Sequence, residues 1–206
     1  MARVVKMTDA AMTEDHLAAY ERAITSYRSV ADAAQSDPAL ALRLSLAYAL
    51  AADSLSGLGA EQQDPVRAQQ YARRALEQAN AALMADPEDL GAAIARADGL
   101  RLRGMLQESQ AQLSAAKNMP FFRTAEYFRV RALLRAAQSE GNLAKGYKSA
   151  EKAHDAEPEV IRYRLLLARA AMDAGDAPEA EAQLEAVLTE HPFHPAATSL
   201  RLSLIH

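Results

Sequence analysis

Apolar and small residues return at steps of three and four along most of this chain, the spacing that gathers side chains on one face of a helix. Leu17, Tyr20, Ile24, Tyr27, Ala31 and Ala34 draw such a face through residues 13–36, and Glu14 and Asp15 suit its start because acids there complement the helix dipole. Prolines punctuate the pattern. Asp37-Pro38, Asp86-Pro87, Met119-Pro120, Glu157-Pro158 and His191-Pro192 each close an apolar-periodic stretch. Proline disfavours helical geometry at the residue before it and lacks the N–H an interior helical position needs, so each pair predicts a helix end. The prolines are spaced by 49, 33, 38 and 34 residues, the size of a helical repeat. Alternating runs of the strand type are nearly absent, so the class expected is all-α.

The last period is the clearest. Leu167-Ala168 is followed by Ala171, Gly175, Ala180, Leu184, Val187 and Pro192; 34 positions earlier stand Leu133-Leu134, Ala137, Gly141, Gly146, Ala150, Ala153 and Pro158. Small residues recur where two helices approach, and a glycine falls at the turn between them. This resembles the tetratricopeptide repeat (TPR), whose 34-residue pattern runs Trp-x2-Leu-Gly-x2-Tyr, then Ala-x3-Phe, then Pro. The resemblance covers 127–160 and 161–194 well and is weaker upstream; Val130 and Arg164 stand at the tryptophan position. It implies a right-handed superhelical solenoid of helix hairpins. Residues 13–206 then form one domain: a capping helix at 13–36, units at 39–87, 90–120, 127–160 and 161–194, and a terminal helix at 195–206, preceded by a flexible N-terminus at 1–12. Asp64 and Pro65 are placed to start a helix as N-cap and first residue, and Gly104 to turn the 90–120 unit.

Composition sharpens this picture. Alanine supplies 48 of 206 residues against 8 Gly and 8 Pro, which favours helices packed closely through methyl groups. With no cysteine there is neither disulfide nor thiolate chemistry, and a net charge of −4 opposes bulk attraction to nucleic acid or an anionic membrane. The apolar stretch at 39–55 is interrupted by Arg43, Ser45 and Asp53 and reads as a buried helix rather than a membrane span. Residues 1–7 are too short an apolar run for a secretory leader, so a cytoplasmic location is expected.

Candidate chemistry is sparse. Residues 141–149 mimic a phosphate-binding loop, but Tyr147 separates Gly146 from Lys148 and no strand precedes them; a turn glycine and a close-packing glycine of a repeat account for the segment. His191 and His194, with Pro192 between them, lack a third ligand at metal-site spacing and read as a surface loop, while His16 reads as a helix-surface residue. No enzyme, cofactor or metal is expected.

Charge is divided unevenly between the helices of each hairpin. The first helices of the last three units (90–103, 123–139, 161–174) hold ten arginines against three acids, whereas the second helices (105–118, 142–156, 176–190) hold four lysines against eight acids. The TPR resemblance implies that first helices line a concave groove. Family positions carried over place Phe128, Arg131, Arg135 and Gln138, then Arg162, Leu165, Arg169 and Met172, in that groove. Arg135 and Arg169 lie 34 residues apart and so occupy equivalent places on successive helices. The Lys and Asn of the family's carboxylate clamp are missing, so a chaperone C-terminus is not the expected ligand. The function expected is a non-catalytic adaptor or scaffold whose basic groove holds an acidic, partly hydrophobic segment of another protein. Alternatives are self-assembly into a homo-oligomer through the apolar residues 200–205, or service as a helical regulatory domain of a longer protein. Helical-repeat RNA binding is disfavoured by low aromatic content and acidic charge.

Overall fold

The computed structural model describes residues 2–31, 37–56 and 63–205. They form eleven α-helices: α1 (Ala2–Ala11), α2 (Leu17–Ala31), α3 (Pro38–Ser56), α4 (Pro65–Ala85), α5 (Leu90–Leu102), α6 (Leu106–Ala116), α7 (Ala125–Ala137), α8 (Tyr147–Ala156), α9 (Ile161–Ala174), α10 (Ala177–Glu190) and α11 (Pro195–Ile205). Single 3-10 turns stand at Met12–Glu14 and Leu143–Gly146. The fold is all-α, built of helix hairpins with flanking helices. Residues up to Pro120 cluster into one compact unit and those from Phe121 onward into a second.

Local chemistry sets the helix ends. Asp64 accepts the Arg67 N–H at 3.0 Å with Pro65 at the first helical position, Asp89 accepts the Ala92 N–H at 2.6 Å, and Thr124 accepts the Tyr127 N–H at 3.1 Å. Gly104 (φ +74°) and Gly175 (φ +79°) follow α5 and α9 in the left-handed conformation that glycine adopts without a Cβ penalty. Pro87, Pro120, Pro158 and Pro192 lie just beyond the ends of α4, α6, α8 and α10; Pro38 instead opens α3, where its missing N–H costs nothing. Two histidines read as surface residues prove to be caps. His16 Nδ1 accepts the Ala19 N–H and buried His194 Nδ1 accepts the Ala197 N–H, both at 3.3 Å.

In the first unit α3 packs against α2, α4 and α5, and its core gathers Tyr20, Ile24, Tyr27, Leu40, Leu44, Tyr48 and Leu55. By length and composition α3 could cross a membrane, but 56% of its apolar window is buried against its neighbours. Residues 1–12, expected to be a flexible N-terminus, instead contribute α1, which packs on α2. The reason is Asp9: it accepts a hydrogen bond from Tyr27 of α2 and pairs with Arg43 of α3 at 3.0 Å. The last residues of the capping helix expected at 13–36, including Ala34, lie outside the described residues.

In the second unit α7 pairs with α8, α9 with α10, and α11 lies against α9 and α10. The seams are lined by fully buried alanines, among them Ala132, Ala136, Ala150, Ala168, Ala170 and Ala180. Gly146 presses against α7 so closely that a methyl group there would stand 2.6 Å from the Ala132 carbonyl oxygen. Ala197 and Leu200 of α11 complete a core with Ile161, Ala168, Leu184 and Val187, while Leu202 faces solvent.

Candidate functional site

The groove residues expected from sequence lie on α7 and α9 of the second unit, except Gln138, which is the exposed residue that ends α7. Along α7, Tyr127, Phe128, Arg129, Val130, Ala132, Leu134 and Ala136 are buried, leaving Arg131 and Arg135 half-exposed one turn apart. Along α9, Arg162, Leu165, Arg169 and Met172 form a half-exposed row beside the buried Ile161, Tyr163, Leu166 and Ala168.

The structure sorts the arginines by what they already touch. In the first unit Arg96 donates to Asn80 and Gln112, and Arg101 pairs with Asp98 and Asp53. In the second, buried Arg129 forms a bidentate pair with Glu126, its terminal nitrogen 2.7 Å from Oε1. Arg164 donates to the Pro158 carbonyl at 2.6 Å. Arg169 Nε donates to Asp173 Oδ1 at 3.2 Å, and Asp173 Oδ2 accepts the Leu143 N–H, so this arginine is held from the side. Arg162 lies over the Tyr163 ring at 4.7 Å. Among the described residues, Arg131 and Arg135 have no hydrogen-bond or ion-pair partner.

Three other expected groove residues differ in role. Phe128, expected to face the groove, is only 9% exposed. Its ring meets Tyr127 edge-on at 5.5 Å, and Lys152 of α8 lies 5.7 Å from its centroid, so it packs the hairpin instead. Leu165 and Met172 are partly covered by the core that α11 completes, which leaves each a limited apolar edge.

Sequence reasoning missed the buried polar link between α7 and α9. Tyr163 donates to Glu126 Oε2 at 3.2 Å while Glu126 is gripped by Arg129. The signal was present as an acid–arginine pair three residues apart on α7, but its tyrosine partner lies 37 positions away. Burial, reinforced by the Glu126 charge, raises the Tyr163 phenol far above the ordinary tyrosine range. Its folded-state pKa therefore exceeds the unfolded one. The stability this confers is complete below about pH 10 and is lost above it, by about 1.4 kcal/mol per pH unit, as only the unfolded chain ionises. Tyr163→Phe should thus be about 1 kcal/mol less stable than the parent at pH 7, for want of the hydrogen bond, yet lose less stability between pH 10 and pH 11.5. Urea titrations at the three pH values check this; parallel losses for both proteins would refute it.

Comparison with known proteins agrees with the hairpin architecture. The family model described as tetratricopeptide repeat matches residues 137–204. A crystal structure of a thermophilic TPR protein from Thermus thermophilus superposes with a TM-score of 0.61 at 19% identity, covering 99% of this chain and 96% of that one. No curated protein matches the sequence. Residues 137–204 are thus similar to tetratricopeptide repeats, and the chain as a whole has the fold of that TPR protein.

Proposed function

We propose that the second unit is a non-catalytic docking module that binds an acidic, partly hydrophobic segment of another protein along α7 and α9. The observation that carries this reading is the state of Arg131 and Arg135: both are half-exposed on one face of α7 and neither is consumed by an internal partner. Guanidinium forks in that position offer planar, bidentate pairing to carboxylates. Arg162 and Arg169 extend the cationic row on α9, with Arg169 held at a fixed angle by Asp173. Leu165 and Met172 supply the apolar edge that a partly hydrophobic ligand needs.

The test uses a fluorescently labelled peptide of alternating Glu and Leu residues and reads binding by anisotropy. Arg131→Glu/Arg135→Glu should weaken binding by about tenfold or more, with parent affinity falling as salt is raised. The variant should melt at the parent temperature, because no internal pair is broken. Equal affinity in a folded double variant would remove α7 from the site.

A further inference from the structure

Helix α11 is held onto α9 and α10 by few contacts. Of residues 195–204 only Ala197 (0% exposed) and Leu200 (5%) are buried, and Leu204 is partly covered. Thr198, Ser199, Arg201, Leu202 and Ser203 face solvent. The side-chain hydrogen bonds of α11 are local: Thr198 donates to the His194 carbonyl and Ser203 to the Ser199 carbonyl. Among the described residues, no hydrogen bond or ion pair runs from 195–205 to α9 or α10. Other elements of the second unit do have such links. Tyr163 with Glu126 joins α9 to α7, Asp173 accepts the Leu143 N–H, and Tyr147 donates to Asp176 at 3.3 Å. Few buried apolar contacts and no polar link to its neighbours mark an element that opens locally before the rest unfolds.

The seat of α11 gives that opening a consequence. Ile161, Leu165, Ala168 and Met172 recur at steps of four, three and four, so they form one row along α9. Ala197, Leu200 and Leu204 pack in the same core as this row. The apolar edge of the docking face is therefore the surface on which α11 rests. We propose that α11 is an autoinhibitory strap over that edge, an inference that rests on the reading of α7 and α9 as the seat of an acidic, partly hydrophobic segment. The ligand's acids engage the α7 arginines while α11 is in place. Its apolar residues take the positions of Leu200 and Leu204 only when α11 lifts away. Charge gives the ligand its advantage. A tethered helix holds its own seat at high effective concentration, so a competitor needs contacts that the strap lacks. Between residues 195 and 205 the one charged side chain is Arg201, whereas α9 carries Arg162, Arg164 and Arg169 against Asp173. Helix α11 thus brings like charge to a cationic helix, and an acidic segment brings the opposite charge. Binding and release form one linked equilibrium, in which the docked strap lowers apparent affinity by the fraction of chains that are open.

Two labelled peptides separate charge from apolar contact: a run of Glu followed by a run of Leu, and its counterpart with Ser in place of each Leu. Both are measured against the full chain by anisotropy. Leu200→Ala, which loosens the strap, should tighten the Leu peptide about tenfold and leave the Ser peptide unchanged. A second readout needs no weakened strap. The chain has no cysteine, so Ala197→Cys supplies a single thiol inside the α11 contact. Its modification by a small thiol reagent should speed up about tenfold with saturating Leu peptide and not with Ser peptide. Global unfolding cannot explain that rise, because a bound ligand suppresses it. No tightening by Leu200→Ala, equal tightening of both peptides, or a thiol whose rate the Leu peptide leaves unchanged or slows would each overturn the strap. Arg131→Glu/Arg135→Glu tests the docking face separately. If that variant weakens both peptides while the Leu peptide leaves the introduced thiol protected, the face stands and the strap falls. If it binds both peptides as the parent does, the face falls and the strap with it.

Discussion

Gly146→Ala should destabilise the second unit by about 2–3 kcal/mol. An alanine placed at an ordinary helical glycine stabilises by up to about 1 kcal/mol, so the sign of the change is itself the test. Here the added methyl would stand 2.6 Å from the Ala132 carbonyl oxygen and 3.0 Å from its Cα. Those are backbone atoms of α7, which cannot swing aside as a flexible side chain would. The turn at Leu143–Gly146 must retreat instead, opening the seam where Leu143, Ala132 and Ala136 are buried. Urea denaturation followed by far-ultraviolet circular dichroism measures the loss. A change within about 0.5 kcal/mol would mean that α7 and the turn are not in backbone contact.

Arg101→Met should be the most damaging single change in the first unit, at about 3–5 kcal/mol. The Arg101 side chain is 8% exposed and lies 2.7 Å from Asp98 and 2.8 Å from Asp53, which joins α5 to α3. Asp98 is itself almost wholly buried. Methionine matches much of the volume of the arginine stem but removes the cation that offsets a carboxylate in a low-dielectric setting. Adding Asp98→Asn should restore a large part of the loss, because the buried charge goes with its counter-charge. Denaturation of the single and double variants decides the matter: a single variant within about 1 kcal/mol of the parent would show that Asp98 does not depend on Arg101.

The hairpins were legible because their signals are local. Asp64-Pro65 and the turn glycines Gly104 and Gly175 each act within four residues of themselves, and each does in the structure what its type predicts. Gly146 was legible too, as a small residue repeated at a contact position. The fate of the arginines was not. Arg101 meets Asp53 across 48 positions and Arg96 meets Asn80 across 16, so counting charge per helix treated as free several side chains that internal partners already hold. Phe128 shows the same limit. Its family position faces the groove, but its ring turns toward Lys152 and Tyr127, a rotation settled by packing rather than by periodicity. Helix α1 escaped for a similar reason, since Asp9 finds its partners at Tyr27 and Arg43.

The alanine-lined seams have a thermal consequence. A methyl group freezes no rotamer when it is buried, but it also exposes little hydrocarbon when the chain opens. The heat capacity of unfolding follows newly wetted apolar area, at about 0.45 cal/K/mol per Å², and is reduced by wetted polar backbone. Seams closed by Ala132, Ala136, Ala150, Ala168 and Ala180 therefore give a small heat-capacity increment for their length. The curve of free energy against temperature is correspondingly shallow, so that each unit keeps its hairpins on cooling and on warming with little change in margin.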